Sequence, residues 1–430
     1  MADAHDSLDL EVAQRRTVRV LAAAQVLGGV GVASGIAVGA LLVTELGSES
    51  LSGLAAAAVV IGAALIAVPV ARVMDVHGRR RGLLLAYAVG ITGAALIIAG
   101  AVLRVLPVVL VGLVLSGGGT AAGLQSRYAA ADLATPQHRG RSLATVVWAT
   151  TVGSVLGPNL IQPMGDLAAA VHLPRLAGPY LLAAVAFAVA AIVIQTRLRP
   201  DPLLAARAAS ARIAAAASAP PPSRRSVPAV LAGLATVPSA LLGLVTMAAG
   251  HAVMVGVMSM TPVHLHHGDA SLRVIGFVIS GHIAGMYIAS PLVGMLSDRF
   301  GRHRVILAGC LTLLTALVIA GTATGHESTQ LAAGLFLLGL GWSCTLIAGS
   351  TLLTEAVPLA ERPSVQGTAD LVMGVAGASA GLLSGLVVGL GSYGLLNLLA
   401  ALLIIPVAVL ALRDAARPGV LLDPAAVQAE

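Results

Sequence analysis

Asp75-Val76-His77-Gly78-Arg79-Arg80-Arg81 and Asp298-Arg299-Phe300-Gly301-Arg302-His303-Arg304 are two versions of one short segment. They stand 223 positions apart in a chain of 430 residues. The same interval separates Asp132 from Glu355 and Arg139 from Arg362. Long apolar runs flank both copies. A charged turn repeated at one interval in an apolar chain marks a duplicated membrane unit.

The composition agrees. Hydrophobic residues make up 57% of the chain and charged residues 10%, and the mean hydropathy is +0.94. A soluble domain carries about 25% charged residues. The 49 glycines suit close helix packing in lipid, where no hydrophobic drive holds helices together. A net charge of +6 would suit nucleic acid. The arginines instead follow membrane orientation, so the expected partners are the lipid bilayer and a transported solute, with no nucleic acid. Cys310 and Cys344 lie in separate apolar runs, which excludes a disulfide framework and a cysteine zinc site. Residues 1–14 are polar and acidic and do not resemble a cleavable signal peptide.

A helix crosses the hydrocarbon core with about 20 apolar residues. Such runs lie near 18–43, 52–73, 82–103, 106–130, 142–164, 176–196, 236–262, 273–296, 305–323, 330–352, 365–389 and 392–412. An all-α polytopic protein with 12 transmembrane helices is expected. Its parts are an N-tail (1–17), a six-helix half (18–196), a basic Pro-rich linker (197–235), a second half (236–412) and a C-tail (413–430). The linker includes Pro220-Pro221-Pro222-Ser223-Arg224-Arg225. The tails and even-numbered connections hold 20 arginines; the other side holds Arg104, Arg175 and Arg273. By the positive-inside rule both termini are expected in the cytoplasm, the membrane being the cytoplasmic (plasma or inner) one.

The repeated turn resembles the signature of the major facilitator superfamily, G-x-x-x-D-R-x-G-R-R, in the loop after span 2. The second copy is the fuller one, with Gly294, Asp298, Arg299, Gly301 and Arg302. The first has Ala71 and Val76 at two signature positions but keeps Asp75, Gly78, Arg79 and Arg80. The resemblance covers nearly the whole chain. It implies two pseudo-symmetric six-helix bundles around a cavity that opens alternately to each side. The residues alone say that Gly78 and Gly301 permit a tight turn, and that Asp132 can pair with Arg79 and Glu355 with Arg302. Such pairs would clamp one face shut, a gating role preferred here over passive anchoring at the lipid interface.

Polar and soft side chains inside spans are functional candidates. Met247, His251, Met254 and Met258 recur at intervals of 4, 3 and 4, one stripe of span 7. His282 and Met286 are one turn apart on span 8. His264, His266 and His267 occupy the outer loop between these spans, as a capture cluster. Imidazole with thioether suits Cu(I). Met254-x-x-x-Met258 with His282-x-x-x-Met286 is similar to the paired motifs of the CcoA-like copper importers, a family that also includes carriers of riboflavin-like molecules. Copper uptake is therefore the first expectation, copper being cargo and not a cofactor.

The alternatives are riboflavin-like vitamin uptake and a proton-coupled exporter of drugs or small metabolites. Gly153-Ser-Val-Leu-Gly157-Pro158 is similar to the antiporter G-x-x-x-G-P element. The Gly-Gly that usually follows is replaced around Ile161-Gln162-Pro163, and Leu113 stands where that family has a buried arginine. Arg127 in span 4 and Asp370 in span 11 are candidates for proton coupling or for pairing with a neighbour. Gln25, Asn159, Gln162 and Asn397 are weaker cavity candidates. No G-x-x-x-x-G-K loop occurs, so neither an ATP-driven pump nor an enzyme is expected. The chain is expected to act as a monomer.

Overall fold

The computed structural model describes residues 2–47, 51, 53–213, 226–270, 272–324 and 326–415. The first half contains α1 (Ala2–Leu46), α2 (Gly53–His77), α3 (Arg79–Leu103), α4 (Leu106–Ala129), α5 (Arg139–Asn159), α6 (Ile161–Ala170) and α7 (Gly178–Arg197). Two short helices, α8 (Pro202–Ile213) and α9 (Val227–Thr236), lie between the halves. The second half contains α10 (Pro238–His267), α11 (Leu272–Tyr287), α12 (Ser290–Phe300), α13 (Arg302–Thr322), α14 (Ser328–Glu355), α15 (Arg362–Leu390) and α16 (Tyr393–Ala415). Among the described residues there is no strand. Among the described residues eleven spans are long and apolar enough to cross a membrane, α11 and α12 together forming one of them (Phe277–Phe300), or twelve when the pair α5 and α6, bent by 54°, is one span.

That bend falls just after Gly157-Pro158, where proline lacks the N–H that would continue the ladder. Gly153 and Gly157 bring α5 close to α1: a Cβ at Gly153 would lie 2.6 Å from the backbone of Gly29. Helix α1 starts at Ala2, so the polar tail prolongs the first span instead of ending near residue 18. Its exposed turn carries an i,i+4 pair, Glu11 to Arg15 at 3.1 Å. The stretch expected as plain linker also turns helical. Ala-rich α8 begins at Pro202, and Asp201 Oδ1 caps it by accepting from the N–H groups of Leu203 (3.1 Å) and Leu204 (3.3 Å). The segment 220–225 and the tail from 416 lie outside the described residues.

The halves repeat one packing scheme. Helix α3 packs on α4, α2 on α4 and α1 on α5; in the second half α13 packs on α14, α11 on α14 and α10 on α15. The two bundles meet through α2 against α15 and α5 against α12. Small residues make those contacts. A Cβ at Gly367 would lie 2.3 Å from that of Ala71, and one at Gly294 would lie 2.5 Å from that of Ala144. These contacts run from the face of the charged turns to about mid-depth. Further along α15, Gly385 and Gly389 have nothing within 4 Å. The bundles close on the face with the charged turns and part toward the other.

Candidate functional site

Each charged turn pivots on a glycine with positive φ, +84° at Gly78 and +92° at Gly301, a conformation that disfavours any side chain. The turn starts a helix whose first arginine is buried. Arg79 holds Asp132 through two bonds of 2.7 and 3.1 Å, and Arg302 holds Glu355 through two of 3.2 and 2.9 Å. Each acid lies 53 positions after its arginine, in the same bundle. Both arginines then reach the other bundle: Arg79 donates to Gln366 Oε1 at 2.6 Å, and Arg302 to the Pro136 carbonyl at 2.7 Å. Arg302 also donates to the Ser297 carbonyl. Arg139 adds a looser contact to Glu355 across the bundles, at 3.9 Å.

The two signature acids are used differently. Asp298 accepts from the N–H groups of Gly140 (2.9 Å) and Arg141 (2.8 Å), at the positive end of α5 in the other bundle. Its mate Asp75 would face the start of α15, but that helix opens with Arg362-Pro363, and Pro363 has no N–H. The linker supplies a substitute. Arg207 of α8 donates to the Asp75 carbonyl at 2.7 Å and to the Ala360 carbonyl of the second half at 2.9 Å, with Asp75 Oδ1 at 3.5 Å. Asp201 accepts from the N–H groups of Arg79 (3.1 Å) and Arg80 (2.7 Å). Arg80 takes part in these bonds through its backbone. Arg299 is exposed and lies over the Phe300 ring.

A second polar layer lies deeper. Asp370 is eight residues into α15, about 12 Å along it at 1.5 Å per residue. Its Oδ1 accepts from Arg127 at 2.6 Å and its Oδ2 from Gln125 at 2.8 Å, both donors coming from α4 of the other bundle. The Arg127 and Asp370 side chains are 2% and 0% exposed. Arg127 also donates to the Tyr128 hydroxyl at 3.1 Å, and its guanidinium lies 4.6 Å from the centre of that ring. Tyr128 and Ser350 turn their hydroxyls to Met247 Sδ, at 3.8 and 3.5 Å.

One turn beyond Met247 stands His251. Its Nδ1 accepts the indole N–H of Trp342 at 3.1 Å, so the ring proton belongs on Nε2. Trp342 meets Tyr287 edge to face, with centroids 5.9 Å apart. The chain has only 2 Trp, 5 Tyr and 4 Phe. Two of these, Tyr287 and Trp342, gather with His251 beyond the Arg127–Asp370 layer, on the side where the bundles part, and Tyr128 belongs to the layer itself.

The span 7 and span 8 stripes do not form one facing pair. Helix α10 packs on α14, α15 and α16 and hardly touches α11, which packs on α14. Met247 and His251 turn to Tyr128, Ser350 and Trp342 as described; Met254 and Met286 are buried in the core of the second bundle, with Met258 at its edge. His282 Nδ1 donates to the Leu335 carbonyl at 2.8 Å, which leaves its buried Nε2 with no hydrogen-bond partner. His264 stacks on Tyr393 at 4.3 Å and bonds the Ala323 carbonyl, a fixed structural role; His267 is exposed, and the side chain of His266 lies outside the described residues. Among the described residues, no group of three or more His, Cys, Asp or Glu is placed to hold a metal ion. Gln25 donates to Thr150, whereas Asn159 and Asn397 bond their own helices and Gln162 is exposed. Sequence reasoning passed over Gln125, Tyr128, Asp201, Arg207, Tyr287, Trp342 and Gln366. Polar or aromatic type within an apolar run was the available signal for most of them.

The family model described as Major Facilitator Superfamily matches residues 20–270 and 242–427. An uncharacterized MFS-type transporter of Bacillus subtilis, YdeG, is 38% identical over 399 residues, 92% of this chain and 91% of that protein. The riboflavin transporter RfnT of Brucella anthropi is 26% identical over 367 residues, 84% of this chain and 86% of that protein. The crystal structure of the human organic anion transporter MFSD10 superposes with a TM-score of 0.71 at 18% identity, covering 93% of this chain and 99% of that one. That last likeness concerns the fold.

Proposed function

The chain belongs to the major facilitator superfamily of membrane transporters, and from that premise we propose that it carries a small planar organic solute by alternating access across the cytoplasmic membrane. The arginine excess supports placing the charged-turn face in the cytoplasm. On that placement the bundles are closed inside and parted outside, the outward-open member of the cycle. The observation that carries the substrate class is the shelf of His251, Trp342 and Tyr287 above the Arg127–Asp370 layer. Aromatic faces bind planar rings, and the guanidinium and amides beneath fix polar edges. The similarity to a riboflavin transporter supports the same class. A second reading, Cu(I) uptake, draws on one feature: His282 has one nitrogen fixed by a carbonyl and the other free, the arrangement of many metal-binding histidines.

Uptake into proteoliposomes of riboflavin, Cu(I) and a cationic dye, measured side by side, separates the readings. Saturable riboflavin uptake that falls at least about tenfold in Trp342→Ala is expected, because loss of an aromatic anchor costs on the order of 2 kcal/mol. Cu(I) uptake lost in His282→Ala, with no riboflavin uptake, would overturn the proposal. Active extrusion of the dye alone would favour the exporter.

Orientation is checked in a cysteine-free background with single cysteines at Arg81, Arg299 and Arg104. An impermeant maleimide added to intact cells should label position 104 and spare 81 and 299. Labelling at 81 or 299 would reverse the placement.

The linker is expected to form part of the inner closure. Arg207→Ala should raise the inward-facing population by roughly fivefold, because charge-assisted bonds at a half-exposed site are worth on the order of 1 kcal/mol. Spin-label distances between α2 and α15 read this directly. An unchanged distribution would reduce α8 to a passive tether.

A further inference from the structure

Most links between the bundles can part without stranding a charge. Arg79 reaches the other half through the neutral Gln366, and Arg302 and Arg207 reach it through the carbonyls of Pro136 and Ala360. Their acids, Asp132, Glu355 and Asp75, stay in the same bundle or in its linker. The Arg139–Glu355 contact is long, and its side chains are 17% and 24% exposed, so water already reaches it. Arg127–Asp370 differs. It joins the two bundles through full charges, and both side chains are out of water. Pulling it apart as ions would leave a carboxylate and a guanidinium unpaired in a low-dielectric setting, at several kcal/mol each.

We propose that Asp370 is the proton-binding site of the transport cycle, a reading that rests on the transporter assignment but not on the identity of the solute. Protonation turns the Asp370 carboxylate into a neutral acid and breaks only its ion pair with Arg127. The proton is taken up while the inner face is closed and leaves to the cytoplasm once that face has opened. The neutral acid travels with the second bundle. Arg127 stays behind with partners of its own bundle, the Tyr128 hydroxyl and ring face. Its Nε is buried without a partner, so the guanidinium has donor capacity for a solute oxygen in place of Asp370.

Around Asp370, helix α4 contributes Gln125, Arg127 and Tyr128; α3 contributes Arg79, which bonds Gln125 at 3.4 Å. Helix α10 brings Met247 and His251, and α14 brings Ser350 and Thr354. Helix α2 faces this part of α15 with Ala64, Ala67 and Ala71. Within its own helix Gln366 lies one turn away. Asp132 is the nearest other acid in this network and is held by two bonds to Arg79. Arg79 is already bound to Asp132, and His251 Nδ1 is occupied by the Trp342 N–H, so Asp370 is the acid that faces Arg127 and a single proton on it changes the charge of that pair by one.

The sign follows from linkage. Protons bind more tightly to the state in which Asp370 has lost its cation, so acid favours opening of the charged-turn face, by up to about tenfold per pH unit for one site. The test measures spin-label distances between α2 and α15 in purified wild-type protein from about pH 8 to about pH 5, without solute. A shift toward longer distances on acidification is expected, absent in Asp370→Asn and restored in Asp370→Glu. A parallel assay follows riboflavin uptake with and without an acid-outside gradient. If the wild-type distances do not respond to pH, or Asp370→Asn responds like wild type, the proton site is overturned even where riboflavin is transported. If the distances respond through Asp370 and riboflavin is not transported, the proton site stands and the solute assignment fails.

Discussion

Arg127→Gln is expected to reduce solute accumulation by on the order of a hundredfold and to lower the melting temperature of the purified protein. Removing one member of a buried ion pair costs about 3–5 kcal/mol, because the remaining charge stays buried without compensation. Here the remaining charge is Asp370, 0% exposed, and Gln125 would be its principal remaining donor. The inner closure would loosen whatever the pH. The double variant Arg127→Gln/Asp370→Asn removes both charges and should recover most of the melting temperature while leaving pH-driven accumulation absent. That split separates the electrostatic role from packing. Wild-type melting and uptake in Arg127→Gln would contradict both.

The second large effect concerns the contact that lets the bundles close. A Cβ at Gly367 would lie 2.3 Å from Ala71 Cβ and 3.1 Å from the Ala67 carbonyl, all on α2 of the other bundle. Gly367→Leu therefore acts as a wedge. Its own bundle keeps its packing, but α2 and α15 cannot approach, and the protein should be held open on the charged-turn face. A cysteine pair across α2 and α15 that crosslinks in the parent should fail to do so, and net uptake should vanish. Pairing Gly367→Ala with Ala71→Gly moves the methyl across the contact and should restore closure. Crosslinking at the parent rate in Gly367→Leu would show that the bundles do not close at this point.

The parts of this architecture that repeat were legible in the sequence. The turn glycines, the buried arginines and their acids sit at matching intervals, and the resulting Arg79–Asp132 and Arg302–Glu355 pairs are local to one bundle. The parts that break the repeat were not. Asp75 and Asp298 read alike, yet Pro363 denies Asp75 the helix start that Asp298 enjoys, and the linker takes over through Arg207. Arg127 and Asp370 stood out singly as ionisable residues in apolar runs. Nothing along the chain links two residues 243 positions apart, so their contact needed the bundle interface. The Met/His stripe on span 7 is real as a helix face, but periodicity does not say which neighbour a face meets. The neighbours are α14 and, across the bundle interface, α4, so Met247 and His251 join Ser350, Trp342 and Tyr128 instead of the residues of span 8.

Tryptophan fluorescence tests solute placement against Trp342 most directly. The chain has 2 tryptophans, so Trp148→Phe leaves Trp342 as the single reporter. Titrating that variant with riboflavin, against a free-tryptophan control for light absorption, should give saturable quenching at micromolar concentration that His251→Ala weakens by about tenfold, as expected for loss of a central contact in a binding site. Quenching no greater than the control at every concentration, in protein that still takes up Cu(I), would contradict it.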